Sequence, residues 1–403
     1  MTRTSRRAFL AALARAGLGA ATLASLPRWA RAAAAAGAPA AAPAPPPSGA
    51  DFIVRNDRPE HLETTLEALG RSWITRNDRF FVRSHLSVPS LAAADWRLAL
   101  TGLVTTPLTL TLAELKALPQ ITAVHTLECA GNGRGLFQLP STSGTQWERG
   151  AVGNAEWVGV RLSTLLARAD AAAEAKHVWF EAADLAPVPG VPPFLRSIPI
   201  EKAKDDVLLA HTMNGEPLSE RHGFPLRAIV PGWFGMASTK WLTGVRVENQ
   251  PSDNHFMVRG YRYAYPGEDP ATAPPVETLR VKSVITGPVD GSIVVVPRRT
   301  AKNKRPLLRV QGFAWAGPAG VRLVEISTDG GRAWRPAGFM GDTAPGAWRA
   351  WATEIEVTPP ARVSVMARAT ANDGETQPPE ARPNAGGYGN NSMHKVTVSV
   401  RAI

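Results

Sequence analysis

His125-Thr126-Leu127-Glu128-Cys129-Ala130-Gly131-Asn132-Gly133-Arg134-Gly135 is the densest polar stretch of the chain and contains its one cysteine. Val124–Leu127 reads as a strand, and Gly131, Gly133 and Gly135 follow. The cysteine therefore stands where a strand opens into a loop whose backbone can come close to a bound group. Arg134 favours the thiolate, the form that binds metals or attacks electrophiles. An isolated cysteine is more often an inert core residue, but the glycines and the arginine weigh against that here. A dinucleotide fingerprint fails because Leu136 stands where G-x-G-x-x-G requires its last glycine. His125 and Cys129 are four apart, but the strand reading removes the helical face on which such a zinc pair forms. No G-x-S-x-G elbow or P-loop occurs, whereas a cysteine hydrolase stays open because histidines occur elsewhere.

Outward from this loop, stretches of helical character such as Leu162–Arg168 alternate with short apolar runs at 178–180 and 226–230, which reads as a mixed α+β domain over 51–270. Pro266, Pro270, Pro274 and Pro275 mark its end. Beyond them the pattern is strands alone. Val363, Val365, Ala367 and Ala369 alternate with polar residues, as do Val396, Val398 and Val400, and Asp329-Gly330-Gly331 supplies a hairpin turn. This predicts an all-β, immunoglobulin-like sandwich over 276–403. Two domains suit a chain of 403 residues with 44% hydrophobic composition.

The net charge of +11 invites a nucleic-acid reading, but its placement does not support one. Residues 1–32 hold Arg3, Arg6, Arg7, Arg15, Arg28 and Arg31 with no acid, and without them 39 basic residues face 34 acidic ones, or +5. The order of this segment, Arg6-Arg7-Ala8-Phe9-Leu10, an Ala/Leu/Gly run and Ala30-Arg31-Ala32, reads as a twin-arginine signal peptide. An Ala/Pro linker follows at 33–50. The expectation is a periplasmic protein without a permanent membrane span, since no later run reaches the ~20 apolar residues a span needs. One cysteine excludes an internal disulfide, a c-type haem and a cysteine-held iron–sulfur cluster.

Further basic residues stand singly in distinctive settings: Phe81-Val82-Arg83-Ser84-His85, Arg221-His222-Gly223-Phe224-Pro225-Leu226-Arg227 and Ser238-Thr239-Lys240. Cations at strand ends beside glycines suit a phosphate or other oxyanion. For any one of them alone, a solvated surface charge is the commoner case.

The ordered segments FFVRSHLSVP, HTLECAGNGR, RHGFPLR, STKWL and GYRYAY closely resemble the molybdenum sulfite oxidase family. GFAWAG, VEISTDGGRAW, ETQPP and GYGNNSMHKV resemble that family's dimerisation domain, so the likeness runs over about 75–403. The resemblance implies molybdenum held by one pyranopterin dithiolene, molybdopterin, with Cys129 as the protein's metal ligand. A soft thiolate suits such a metal. By position, Phe81, Val82, Arg83, Ser84, His85, Asp184, His222, Arg227, Ser238, Thr239 and Lys240 would hold the cofactor. Arg83 and Arg134 would face the substrate, Trp147 would close the pocket, and Tyr261 would stand near the metal.

The implied reaction is oxidation of sulfite to sulfate, by attack of the sulfite lone pair on a Mo(VI) oxo group. Arginines orient the dianion, and a tyrosine hydroxyl helps to manage protons. A homodimer and a separate periplasmic c-type cytochrome as electron acceptor complete the expectation. Vertebrate-type members carry a third substrate arginine where this chain has Gly386, and Pro383-Asn384 replaces their Trp-Asn. The alternatives are a molybdopterin-dependent reductase of sulfoxides or other S- or N-oxides, and an exported binding module without enzymatic activity.

Overall fold

The Cys129 stretch ends a strand, Ile121–Glu128, that pairs antiparallel with Val152–Arg161 along its whole length, from Ile121 opposite Gly159 to Glu128 opposite Val152. In this computed structural model the described residues are 51–137, 142–184, 186, 190–298 and 306–403. The leader expected at 1–32 and the linker at 33–50 lie outside them. Val152–Arg161 continues the sheet to Leu208–Met213, which pairs on its other side with Arg227–Ile229 and Glu216–Pro217. A second sheet orders Leu108–Thr111, Arg97–Gly102, Leu242–Glu248, His177–Ala182 and Leu195–Pro199, all antiparallel except the Arg97–Gly102 and Leu242–Glu248 pair.

Between these sheets lies a core that includes Leu100, Val160, Leu165, Phe180, Leu226 and Val245. Helix Leu162–Arg168 contributes Leu162, Leu165 and Leu166, the 3.6-period face that the sequence shows. Leu112–Lys116 starts on a capping box, with Thr111 and Glu114 each satisfying the other's free amide. The helices among the described residues are short, seven residues at most, so their stability comes from packing and caps rather than from propensity.

The C-terminal part is the expected sandwich. One sheet orders Lys282–Gly287, Leu307–Trp315, Arg349–Glu356 and Gly338–Met340; the other orders Ile293–Val296, His394–Ala402, Ala361–Ala371, Val321–Ser327 and Arg335–Pro336. The alternation read from the sequence is the burial pattern: Val365, Ala367, Ala369, Val396, Val398 and Val400 all face the core. The described residues form one compact unit. The two halves share an apolar cluster in which Val152, Phe234 and Tyr261 meet Val284, Phe313, Trp315 and Trp348. Phe313 and Trp348 stack there with ring centroids 4.1 Å apart. No helix among the described residues is long and apolar enough to cross a membrane.

Candidate active site

The strand end at Cys129 opens into a solvent-open pocket of about 730 Å³, the space at its mouth included. Four stretches that are far apart in sequence wall it: Phe80–Phe81 with Arg83–His85, Leu127 with Cys129 and Ala130, Arg221–His222 with Arg227, and Ser238–Trp241. Ala182, Asp184, Phe194, Gly235, Met236 and Tyr261 complete the lining. Cys129 is half-buried and free, and its amide donates to Ala151 O at 2.9 Å.

One wall is cationic and short of partners. Arg227 is buried beside the Trp157 ring; its Nη1 donates to His222 O at 3.0 Å and its Nη2 to Ser238 O at 3.1 Å, while Nε has no partner. Burial pushes its pKa down to about 9. Lys240 Nζ donates to Ser84 Oγ at 2.9 Å and to Arg221 O at 2.8 Å. Desolvation, then Arg227 and Arg83, hold its pKa well below the usual lysine range. Arg83 Nη1 and Thr239 Oγ1 are also buried without partners. Desolvation, then Lys240 and Arg227, drive His222 down to about 3, so it is neutral there. Asp184 has one oxygen unpartnered, and desolvation lifts its carboxyl to about 6. Buried polar atoms left unpaired carry a desolvation cost that a bound anion would relieve.

A second group of lining residues is aromatic. Tyr261 Oη lies 2.6 Å from His85 Nε2, and His85 stacks on Phe194 at 4.2 Å. Burial raises the tyrosine's pKa and lowers that of the imidazole, keeping both neutral. Tyr261 sits at φ +57, a left-handed conformation uncommon for a non-glycine residue, and Arg196 lies 5.1 Å from its ring centroid.

The domain family described as "Oxidoreductase molybdopterin binding domain" matches residues 85–256, and "Mo-co oxidoreductase dimerisation domain" matches 273–401. Sulfite oxidase of Arabidopsis thaliana is 30% identical over 374 residues, 85% of this chain and 92% of that protein. The chain belongs to the molybdenum sulfite oxidase family. Mitochondrial sulfite oxidase of Mus musculus is 35% identical over 368 residues, covering 86% of this chain; the chain spans 65% of that relative's length. The crystal structure of the sulfane dehydrogenase SoxCD from Paracoccus pantotrophus matches with TM-score 0.74 and 28% identity, over 95% of this chain and 97% of that one.

The matched domain description names molybdopterin, the group against which the cavity is to be judged. The cavity fits that group: its lining combines a free thiol with unpaired cationic and hydroxyl donors suited to a phosphate, and Asp184 is an acceptor for ring N–H groups. Of the residues singled out from the sequence, Phe81, Arg83, Ser84, His85, Cys129, Asp184, His222, Arg227, Ser238, Thr239, Lys240 and Tyr261 converge on the cavity.

Val82, Arg134 and Trp147 are not in its lining. Val82 packs with Phe52 and Leu62, and its backbone pairs with Leu62. Trp147 is fully buried 5.8 Å from His61, ring centroid to ring centroid. Arg134 donates to Gly386 O and Thr145 O, each at 3.0 Å, and lies over Tyr388, which in turn stacks on Tyr261. A side chain at Gly386 would start 2.1 Å from the Tyr388 ring, so the space near an arginine there is already taken. Phe194 and Met236 joined the lining without a sequence signal, because each sits in an ordinary apolar run, and Arg196, which is not in the lining, reaches the Tyr261 ring.

Proposed function

We propose that the protein is a sulfite dehydrogenase exported to the periplasm by the twin-arginine route, acting as a homodimer and passing electrons to a separate c-type cytochrome. One observation carries the reading: a lone thiol, unpaired cations and a hydrogen-bonded tyrosine–histidine pair wall a single cavity. Sulfite and water give sulfate, two protons and two electrons. The bound molybdenum supplies two-electron oxidation with oxygen-atom transfer. Arg83, with Nη1 free, neutralises and orients the anion. Tyr261 and His85 hold a proton in one short contact without a buried charge. The arginine-paired leader supports export, and the exposed Ile293 and Val295 on the edge strand Ile293–Val296 support a partner copy against the sandwich.

Purified protein should reduce cytochrome c and ferricyanide on addition of sulfite. Absence of sulfite-dependent reduction alongside reduction of a sulfoxide would replace this reading with the reductase. Oxidation of a sulfane sulfur is a second reading, favoured by the likeness to SoxCD over nearly the full length of both chains and by glycine at 386. Thiosulfate and a persulfide belong in the same assay, and turnover with them but not with sulfite selects it.

A further inference from the structure

Glu128 precedes Cys129 and is wholly buried. Three donors converge on its carboxylate: Lys282 Nζ at 2.5 Å and Asn132 Nδ2 at 2.9 Å on Oε1, and Trp315 Nε1 at 2.8 Å on Oε2. Lys282 and Trp315 belong to the sandwich half, on strands Lys282–Gly287 and Leu307–Trp315. Lys282 is itself buried, 3% exposed, and donates also to Asn132 O at 3.4 Å.

The same half also holds the loop and the strand that leads into it. Gly389 N donates to Ala130 O at 2.8 Å, Asn390 Nδ2 to Gly133 O at 2.9 Å, and Trp348 N to Thr126 Oγ1 at 2.8 Å. We propose that Lys282 is a positioning residue for Cys129: acting through Glu128, the sandwich half fixes the loop that presents the thiolate to the molybdenum.

A buried ion pair is by itself weak evidence of stabilisation, because desolvating two charges offsets most of their attraction. Here the carboxylate is satisfied on both oxygens and adjoins the ligand in sequence, so its placement and that of the thiol are set together. The proposal adds to the dimerisation role that gives this half its family description. It rests on Cys129 being the metal ligand.

Cys129 is the only cysteine, so alkylation of the full-length, molybdenum-loaded protein reports this loop alone. Iodoacetamide should label Lys282→Met about tenfold faster than the parent protein, with the visible thiolate-to-metal absorption shifted. Trp315→Phe, a milder change that removes one donor, should label about threefold faster. Val398→Ala, which lowers the melting point from within the sandwich core away from the loop, should label at the parent rate. Parent-rate labelling in both loop variants overturns the proposal, as does equal acceleration in Val398→Ala at matched melting temperature. If Lys282→Met does not fold, Trp315→Phe against Val398→Ala decides. Rapid labelling of the fully loaded parent overturns the ligand assignment itself, and the positioning role with it.

Discussion

Two groups of buried or half-buried charge adjoin the Cys129 loop, and they differ in whether the protein completes them. In the cavity, Arg83, Arg227 and Lys240 form no ion pair among the described residues, and Arg83 Nη1 and Arg227 Nε lack any partner. Behind the loop, Lys282 and Glu128 are paired and further hydrogen-bonded. Burial costs both groups desolvation. A group that the protein leaves incomplete suits an anion; a completed one is structure. The comparison thus separates residues that bind from residues that hold, a distinction that residue type alone does not make.

Cys129→Ser breaks the comparison at its centre. Turnover should fall by roughly a thousandfold or more, with molybdenum content reduced and the circular dichroism spectrum unchanged. Retained turnover removes Cys129 from the metal. Next in size, Arg83→Met should raise the sulfite KM by about a hundredfold, the cost of losing a charge-assisted contact to a dianion. Arg134→Ala should raise it less, because Arg134 already donates to two carbonyls. The reverse ranking would make Arg134 the principal anion contact.

The two groups should also part in stability. Lys282→Met strands a buried carboxylate and should cost about 3 kcal/mol in urea unfolding, whereas Arg227→Met relieves an incompletely partnered cation and should cost less than about 1 kcal/mol in cofactor-free protein. Equal losses would mean that both groups are structural. Tyr261→Phe should lower kcat by about tenfold with molybdenum content unchanged, since it removes one hydrogen-bonding hydroxyl. Unaltered kinetics would reduce the ring to packing.

Acid stability depends on the buried imidazoles. Burial pushes His61 and His125 down to about 4, and five other histidines shift the same way. An unfolded histidine takes up its proton near 6.5, so the unfolded state binds more protons below that pH. The stabilisation is full above about 6.5 and is lost as pH falls through about 4. Asp184, Asp206 and Glu277, raised by burial, act in the opposite sense and are fewer. The melting temperature should therefore decline from pH 6.5 to 4; a flat profile would show these histidines to be exposed.

Much of this was legible in the chain. Alternation along 361–371 and 394–402 foretold strands with one buried face, because the strand period is a property of successive residues. Leu162–Arg168 was legible as a helix for the same reason. The cavity residues were found because each sits in a distinctive local motif. Arg134 shared such a motif, yet its guanidinium turns to Gly386 O, 252 positions away. No local pattern reports that.

By itself, then, the sequence determined the two-part organisation, the single thiol available to a metal, and most of the residues that meet in the cavity. Local periodicity and short motifs carry that information over a few residues. Only the tertiary structure decided which buried charges are completed. Lys282 reaches Glu128 across 154 positions, and Arg83, Arg227 and Lys240 meet in the cavity lining with no carboxylate paired to them among the described residues. Pairing is set by which distant segments the packing brings within hydrogen-bond reach, and burial then makes each missing partner count.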